Sequence, residues 1–232
     1  AYYPGMTDIE FSIEIERLMR LQGCLGIFRV FGRSMEIFMG SLLAGDNAAV
    51  PSPYDFALGG KGLDPSLPGG VSGTLLQAGQ CFMVDMGGNF YGYMGDMSRV
   101  FSIGKLPEQA YAAHQTCLET QEEIVAMAKP GTVCEDMYNK AIEIVTKAGF
   151  ADYFMGVDQK AKFIGHGIGL EINEMPVLAP RMKQELEPGM VFALEPKIVL
   201  PGIGPVGIEN SWAVTTDGLE KLTLCKEEII EL

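Results

Sequence analysis

The chain has 232 residues, of which 47% are hydrophobic and 20% charged, a composition typical of a folded domain with a full apolar core. Its net charge is −13 and we find no basic stripe, which argues against nucleic acid or an anionic membrane as a partner. No apolar run reaches the ~18 residues of a membrane span, and five dispersed cysteines argue against a disulfide framework, so we expect a cytoplasmic protein with reduced cysteines.

Helix signals occur at matching intervals in the two halves of the chain. Pro4-Gly5 precedes a helical pattern that ends at Gly23, and Pro130-Gly131 precedes one that ends at Gly149. Pro-Gly before a helix and Gly after it are start and stop signals. Between these two segments, a 3.6-residue rhythm of apolar side chains predicts another helix from Pro107 to Ala128.

A strand signal also repeats. Residues 76–85 and 186–195 share Leu, Gly, Phe and a terminal acid at the same positions, 110 residues apart. In each copy a Gly turn leads into an apolar strand, which ends at Asp85 or Glu195. The two echoes indicate two similar halves whose strand ends meet at the centre. We therefore expect a single α+β domain over residues 1–232, with antiparallel strands, helices on one side, and a Gly- and Pro-rich loop at 59–73.

Asp85 and Asp96 flank a glycine-rich segment. A hairpin that turns near Phe90-Tyr91 would place the two acids opposite each other on one face. Carboxylates that close repel each other unless a cation neutralises them. The alternative is an exposed hairpin with ordinary surface acids, but Asp85 directly follows an apolar run that predicts burial.

His166 lies in the segment Gly165-His166-Gly167-Ile168-Gly169, whose alternating glycines allow the backbone to pass close to a ligand. An imidazole projecting from such a segment suits a metal ion, and a satisfied buried histidine is the alternative. Glu195 precedes Pro196, and Glu209 lies on the strand expected next.

Together the candidate ligands form a hard, oxygen-rich set that suits Mn²⁺, Fe²⁺, Co²⁺ or Zn²⁺: Asp85, Asp96, His166, Glu195 and Glu209. Four carboxylates and one imidazole, with bridging carboxylates, are enough for two ions about 3.5 Å apart.

These residues occur within a set of short motifs at defined steps. Eleven residues separate the two aspartates, and 29 residues separate His166 from Glu195. The motifs are residues 84–87, 92–99, 165–169, 194–196 and 208–210. With them, essentially the whole chain resembles the pita-bread metallopeptidases, which include methionine aminopeptidase, aminopeptidase P, prolidase and the non-metal relative creatinase.

The resemblance is stronger to prolidase and aminopeptidase P, and it implies the pita-bread fold of two pseudo-symmetric halves. It implies two divalent cations, for which we expect Mn²⁺, with Co²⁺, Zn²⁺ or Fe²⁺ as alternatives. A hydroxide bridging the two cations would attack a peptide carbonyl, and Glu195 would be both ligand and proton shuttle. Because such relatives usually carry an N-terminal domain and are often dimers, we expect a catalytic domain excised from a longer, homodimeric protein.

The chain departs from the family's pattern at three places. A non-ligand histidine expected seven residues after His166 is replaced by Asn173, which we assign to substrate binding. A second one, expected upstream of the first strand, is missing from residues 66–70, and an arginine often found before the last glutamate is replaced by Gly207. The remaining histidine, His114, is interpreted as structural or exposed.

Three functions are therefore open. The chain is a proline-directed dipeptidase or aminopeptidase, a non-peptidase amidohydrolase or lyase that acts on a small molecule, or a metal-stabilised binding module. The substrate is accordingly a peptide or a small molecule.

Overall fold

The computed structural model describes residues 2–26, 39–54 and 56–232. The helices of this part are α1 (Asp8–Leu21), α2 (Glu108–Met127) and α3 (Cys134–Lys147), with short 3₁₀ turns at Gly45–Ala49 and Ala151–Tyr153. The strands are β1 (Gly40–Ala44), β2 (Cys81–Met86), β3 (Gly88–Phe90), β4 (Tyr93–Gly95), β5 (Ser98–Ser102), β6 (Gly165–Gly167), β7 (Glu174–Val177), β8 (Val191–Leu194), β9 (Lys197–Leu200), β10 (Gly204–Gly207), β11 (Asn210–Val214), β12 (Leu219–Lys221) and β13 (Ile230–Glu231). Among the described helices, none combines the length and the apolarity that a bilayer crossing would need.

The strands form two larger sheets and two hairpins. One sheet has the order β1-β2-β5-β13 and the other β12-β11-β8-β6-β7, while β3-β4 and β9-β10 each form a two-stranded hairpin. All pairs are antiparallel except β5 with β13. The α+β class expected from the sequence is confirmed.

The two halves share a pattern of backbone hydrogen bonds. In the first half these bonds join the segment at the start of α1 to the segment before β2, and in the second half they join the segment at the start of α3 to the segment before β8. Leu76 donates its amide to the Met6 carbonyl at 2.9 Å, and Leu186 donates to the Thr132 carbonyl at the same distance. The adjacent bond recurs too, from the Asp8 amide to the Thr74 carbonyl and from the Cys134 amide to the Gln184 carbonyl, both 2.9 Å. The internal repeat predicted from the sequence is therefore confirmed in three dimensions.

The helices end where the glycine signals place their ends. Gly23 after α1 has φ 93° and Gly149 after α3 has φ 82°, the left-handed conformation that closes a helix with little strain in glycine alone. At the other end of α1, Thr7 and Glu10 form a reciprocal capping box. Helix α2 begins and ends within one residue of the expected bounds.

The strand ends that carry the acids are fixed by the core. Met83 on β2 and Phe192 on β8 are both fully buried in the main apolar cluster, close before Asp85 and Glu195 respectively. Burying these side chains stabilises the fold by roughly 1.5–3 kcal/mol each. The acids therefore emerge from rigid strands.

The hairpin expected near Phe90-Tyr91 is confirmed, but the expectation that it places Asp85 and Asp96 opposite each other was wrong. The register of β2 with β5 pairs Asp85 with Ser98, while Asp96 lies in the irregular link between β4 and β5. The reason is that the predicted hairpin forms from its own short strands, β3 and β4; it turns at Tyr91 (φ 56°) and Gly92 (φ 89°) and ends before Asp96. The Asp96 carboxylate accepts the Met97 amide at 3.0 Å, which stabilises this link.

Candidate metal centre

The five residues expected to bind metal line one cavity, although they come from five separate segments of the chain. Asp85 lies on β2, Asp96 before β5, His166 on β6, Glu195 after β8 and Glu209 after β10. Strand β6 pairs with β8 so that Gly165 faces Leu194, which brings His166 next to Glu195. The first half of the chain supplies two of the acids, and the second half supplies the histidine and the two glutamates.

Asp96, His166 and Glu209 form one group able to hold a cation, with one ligand atom from each lying within 4.8 Å of the others. His166 Nε2 is 3.8 Å from Asp96 Oδ2 and 3.4 Å from Glu195 Oε1. His166 Nδ1 donates to the Gly167 carbonyl at 3.1 Å, which leaves the Nε2 lone pair free for a metal ion. The arrangement is that of an oriented imidazole surrounded by carboxylate oxygens.

The charge balance of this group fits a cation. Glu195 Oε1 is buried and has no hydrogen-bond partner among the described residues, which is a costly state for a carboxylate oxygen. Burial and the nearby charge of Asp85 raise the pKa of Asp96 to about 7. Burial and the charge of Asp96 likewise hold the pKa of Glu209 well above its usual range. A divalent cation bound here would relieve all three effects.

Asp85, Glu195 and Glu209 form a second group of potential ligands, and the Lys197 ammonium contacts all three. Lys197 Nζ lies 2.8 Å from Asp85 Oδ2, 2.5 Å from Glu195 Oε2 and 3.1 Å from Glu209 Oε2. The lysine is fully buried.

The pKa values around this lysine follow from the contacts. Burial alone would lower the pKa of Lys197, but the charges of Asp85, Glu195 and Glu209 outweigh burial and raise it well above its usual value. Burial alone would raise the pKa of Asp85, but the Lys197 ammonium outweighs it and holds that pKa below the usual range. These contacts favour the protonated, ammonium form of Lys197.

Lys197 was not identified from the sequence, although a signal for it exists. It lies two residues after Glu195, and side chains two apart point to the same face of an extended chain. It also opens an otherwise apolar strand, Lys197–Leu200, that is entirely buried. A lysine in a buried strand needs an acidic partner. The nearest acid along the chain is Glu195, which is itself a candidate metal ligand.

Glu209 is held by two further residues that the sequence did not single out for a role. Ser98 Oγ donates to Glu209 Oε2 at 2.5 Å. The buried Arg99 donates from Nη1 to the Glu209 carbonyl and from Nη2 to Asn210 Oδ1, both at 2.8 Å. The motif around Asp96 therefore also orients the glutamate of the other half.

Asn173 lies at the edge of the same cavity, with an exposed side chain that makes no hydrogen bond to any described residue. Gly207, where the family often has arginine, has φ 147°, and an added Cβ would lie 2.5 Å from the Pro196 carbonyl oxygen. His114 is buried on α2 with Nε2 2.7 Å from the Glu227 carbonyl oxygen, in agreement with a structural histidine.

Comparisons with known proteins agree with this geometry. The model of metallopeptidase family M24 matches residues 1–216. The chain is 30% identical over 230 residues to the protein named uncharacterized peptidase YqhT of Bacillus subtilis, covering 99% of this chain and 56% of that protein. It is 31% identical over 185 residues to an Xaa-Pro dipeptidase of Pyrococcus furiosus, covering 79% of this chain and 51% of the relative. The chain thus spans about half the length of these relatives.

A solved structure with the same fold is the X-Pro aminopeptidase of Thermotoga maritima. The two superpose with a TM-score of 0.82 at 27% identity, over all of this chain and 56% of that one. Because the family model covers nearly the whole chain and the pita-bread fold is shared with such relatives, the chain belongs to metallopeptidase family M24.

Proposed function

We propose that this chain is the catalytic part of a metal-dependent peptidase that cleaves an Xaa-Pro amide bond, as a dipeptidase or an aminopeptidase. The observation that carries the proposal is the convergence of Asp96, His166, Glu195 and Glu209 on one cavity, where one Glu195 oxygen has no hydrogen-bond partner among the described residues. The names of the Pyrococcus and Thermotoga relatives supply the substrate class.

The residues around the cavity have separate roles in the proposed reaction. A divalent cation bound by Asp96, His166 and Glu209 would supply Lewis acidity, which lowers the pKa of a water molecule and polarises a carbonyl. Glu195 has one oxygen bound by Lys197 and the other unpartnered, so it has an oxygen available to take a proton from water and pass it to the leaving amine. Lys197 fixes the position of that carboxylate.

The wall of the cavity suits a compact apolar group beside a polar one. Phe56, Phe163 and Ile172 contribute apolar surface, and Asn173 contributes an amide at the edge. A proline ring would pack on the apolar side chains, while the Asn173 amide would donate to a substrate carbonyl. The proposal therefore keeps Asn173 as the substrate-binding residue expected from the sequence.

Turnover of a peptide panel tests the proposal. Purified protein is stripped with a chelator, reloaded with Mn²⁺, and assayed on Xaa-Pro dipeptides, longer Xaa-Pro peptides, matched Xaa-Ala peptides and cyclic amides. We expect Xaa-Pro cleavage that the chelator abolishes and Mn²⁺ restores. Asp96→Asn should lose it, and the matched control Asp217→Asn, in a surface turn, should keep it.

The other outcomes of the panel separate the competing functions. Cleavage of cyclic amides alone would replace the proposal with an amidohydrolase. Binding of Mn²⁺ without any turnover would replace it with a binding module. The proposal also includes Mn²⁺ as the resident ion, a homodimer and a cytoplasmic location, which elemental analysis, sedimentation and cell fractionation would test.

A further inference from the structure

The Lys197 ammonium lies among the oxygens that a second metal ion would need. Its three contacts, to Asp85 Oδ2, Glu195 Oε2 and Glu209 Oε2, lie between 2.5 and 3.1 Å from Nζ. These are the same three side chains that form the second group of potential metal ligands. A metal ion bound to the same three oxygens at roughly 2.0–2.2 Å would have to share the space of the ammonium.

The oxygens that Lys197 and the Met97 amide leave available are also few for two metal ions. The Met97 amide takes one oxygen of Asp96, and Lys197 takes one oxygen from each of three other carboxylates. Among the described residues, the candidate ligand atoms outside these contacts are Asp85 Oδ1, Asp96 Oδ2, His166 Nε2, Glu195 Oε1 and Glu209 Oε1. Five atoms suffice for one ion of four to six ligands, whereas two ions require carboxylates that bridge with both oxygens.

The backbone opposite the lysine is built to accommodate its stem. Lys197 pairs with Gly207 across the β9-β10 hairpin. A Cβ at Gly207 would lie 2.8 Å from Lys197 Cα and 3.2 Å from Lys197 Cγ, both closer than ordinary contacts. Glycine at this position therefore leaves room for the lysine to reach the carboxylates.

We propose that the Lys197 ammonium stands in for one of two metal ions, so that the centre binds a single divalent cation. The protein ligands of that cation are Asp96, His166 and Glu209, and Glu195 Oε1 keeps the proton-transfer role given to it in the proposed function. This inference rests on the proposed metal-dependent function and replaces the pair of ions that the family resemblance implies.

Metal stoichiometry tests the inference without relying on activity. Purified protein is dialysed against Mn²⁺ and analysed for bound metal, and its electron paramagnetic resonance spectrum is recorded. Wild type should hold about one Mn²⁺ per chain and show an isolated ion. Lys197→Gly, produced in Mn²⁺-containing medium, should hold about twice as much and show an exchange-coupled pair. The matched control is Lys221→Gly, which removes a lysine of β12 that forms an ion pair with Glu227. This variant should bind the same number of Mn²⁺ ions as wild type.

Each result has a definite meaning. Two ions in wild type would overturn the inference, as would a folded Lys197→Gly protein that still holds one ion, or a second ion gained by Lys221→Gly. If Lys197→Gly does not fold, the wild-type count and spectrum decide alone. One bound ion without Xaa-Pro cleavage would support the inference and overturn the proposed substrate. Two bound ions with Xaa-Pro cleavage would overturn the inference and support the proposed substrate. Wild type that binds no Mn²⁺ would overturn both.

Discussion

Asn173 stands at the cavity edge with its amide exposed, so its contribution to catalysis and its contribution to folding are separable. We expect Asn173→Ala to lower kcat/KM by about tenfold or more, the equivalent of one hydrogen bond of about 1.4 kcal/mol. Its free energy of unfolding should change by less than about 0.5 kcal/mol, because the side chain is exposed and makes no hydrogen bond within the described residues. Steady-state kinetics and urea titration measure the two quantities.

Asn173→His provides the complementary test. A histidine here should add a titration near the ordinary histidine pKa of ~6.5 to the rate profile, which the amide of wild type does not contribute. Met175→Ala, an exposed neighbour on β7, is the control and should leave the profile unchanged. Full activity in Asn173→Ala, together with an unaltered profile in Asn173→His, would show that position 173 is outside the substrate path.

Single residues of the site were predictable where the local sequence carries the signal. Asp85 and Glu195 follow from the repeated strand pattern, and His166 follows from its alternating glycines. Lys197 escaped prediction because its partners lie on other strands, and only the tertiary structure shows that its stem reaches three carboxylates. The sequence shows that Lys197 lies two residues after Glu195. The fold alone shows which carboxylates contact its ammonium group.

Strand β5 links the two halves through Arg99. This buried arginine donates to four backbone carbonyls, those of Ser98, Glu209, Cys225 and Lys226, and to the Asn210 side chain. It therefore fixes the backbone of Glu209 and also holds the segment that leads into β13. The register of β5 against β2 is what points Arg99 in this direction, and register is the feature that the sequence predicted wrongly around Asp96.

We expect Arg99→Met to destabilise the protein by at least about 2 kcal/mol, since buried carbonyls would be left without donors. It should also weaken Mn²⁺ binding, because Glu209 would lose its backbone support. Arg17→Met is the control, as it removes an exposed arginine whose one ion-pair partner among the described residues is Glu14, a turn away on α1. Its cost should stay within about 0.5 kcal/mol. Urea unfolding and Mn²⁺ titration are the measurements. Equal stability of the two variants would contradict the role given to Arg99.

At the scale of the whole molecule, the candidate cation site joins the two halves, since Asp96 comes from one and His166 and Glu209 from the other. Mn²⁺ at about 100 times its Kd should add roughly 2.7 kcal/mol of stability and raise Tm by about 5–10 °C. His166→Asn should abolish this shift. His114→Asn should lower the starting Tm, because His114 is buried against Glu227, yet keep the shift. A shift that survives in His166→Asn would mean that Mn²⁺ binds elsewhere.

The whole fold was more predictable than the details of the site. The helix signals repeat 126 residues apart and the strand signals 110 residues apart, and both repeats are preserved as equivalent hydrogen bonds in the two halves. The turn of hairpin β3-β4 was predicted, but the bounds of its strands and the strand β1 were harder to predict, because the hairpin strands are three residues long and β1 lacks an alternating pattern. Short elements depend on tertiary contacts for their stability, so propensity alone does not define them.

The burial of Lys197 makes it a natural probe for chemical footprinting. An amine-reactive reagent modifies only the neutral amine, and Lys197 is both inaccessible and held as an ammonium by three carboxylates. Exposed lysines such as Lys226 should label at once, whereas labelling of Lys197 requires local opening of the structure around it. The ratio of the two rates, followed by mass spectrometry of peptides, would thus report how often this part of the protein opens, with and without bound cation.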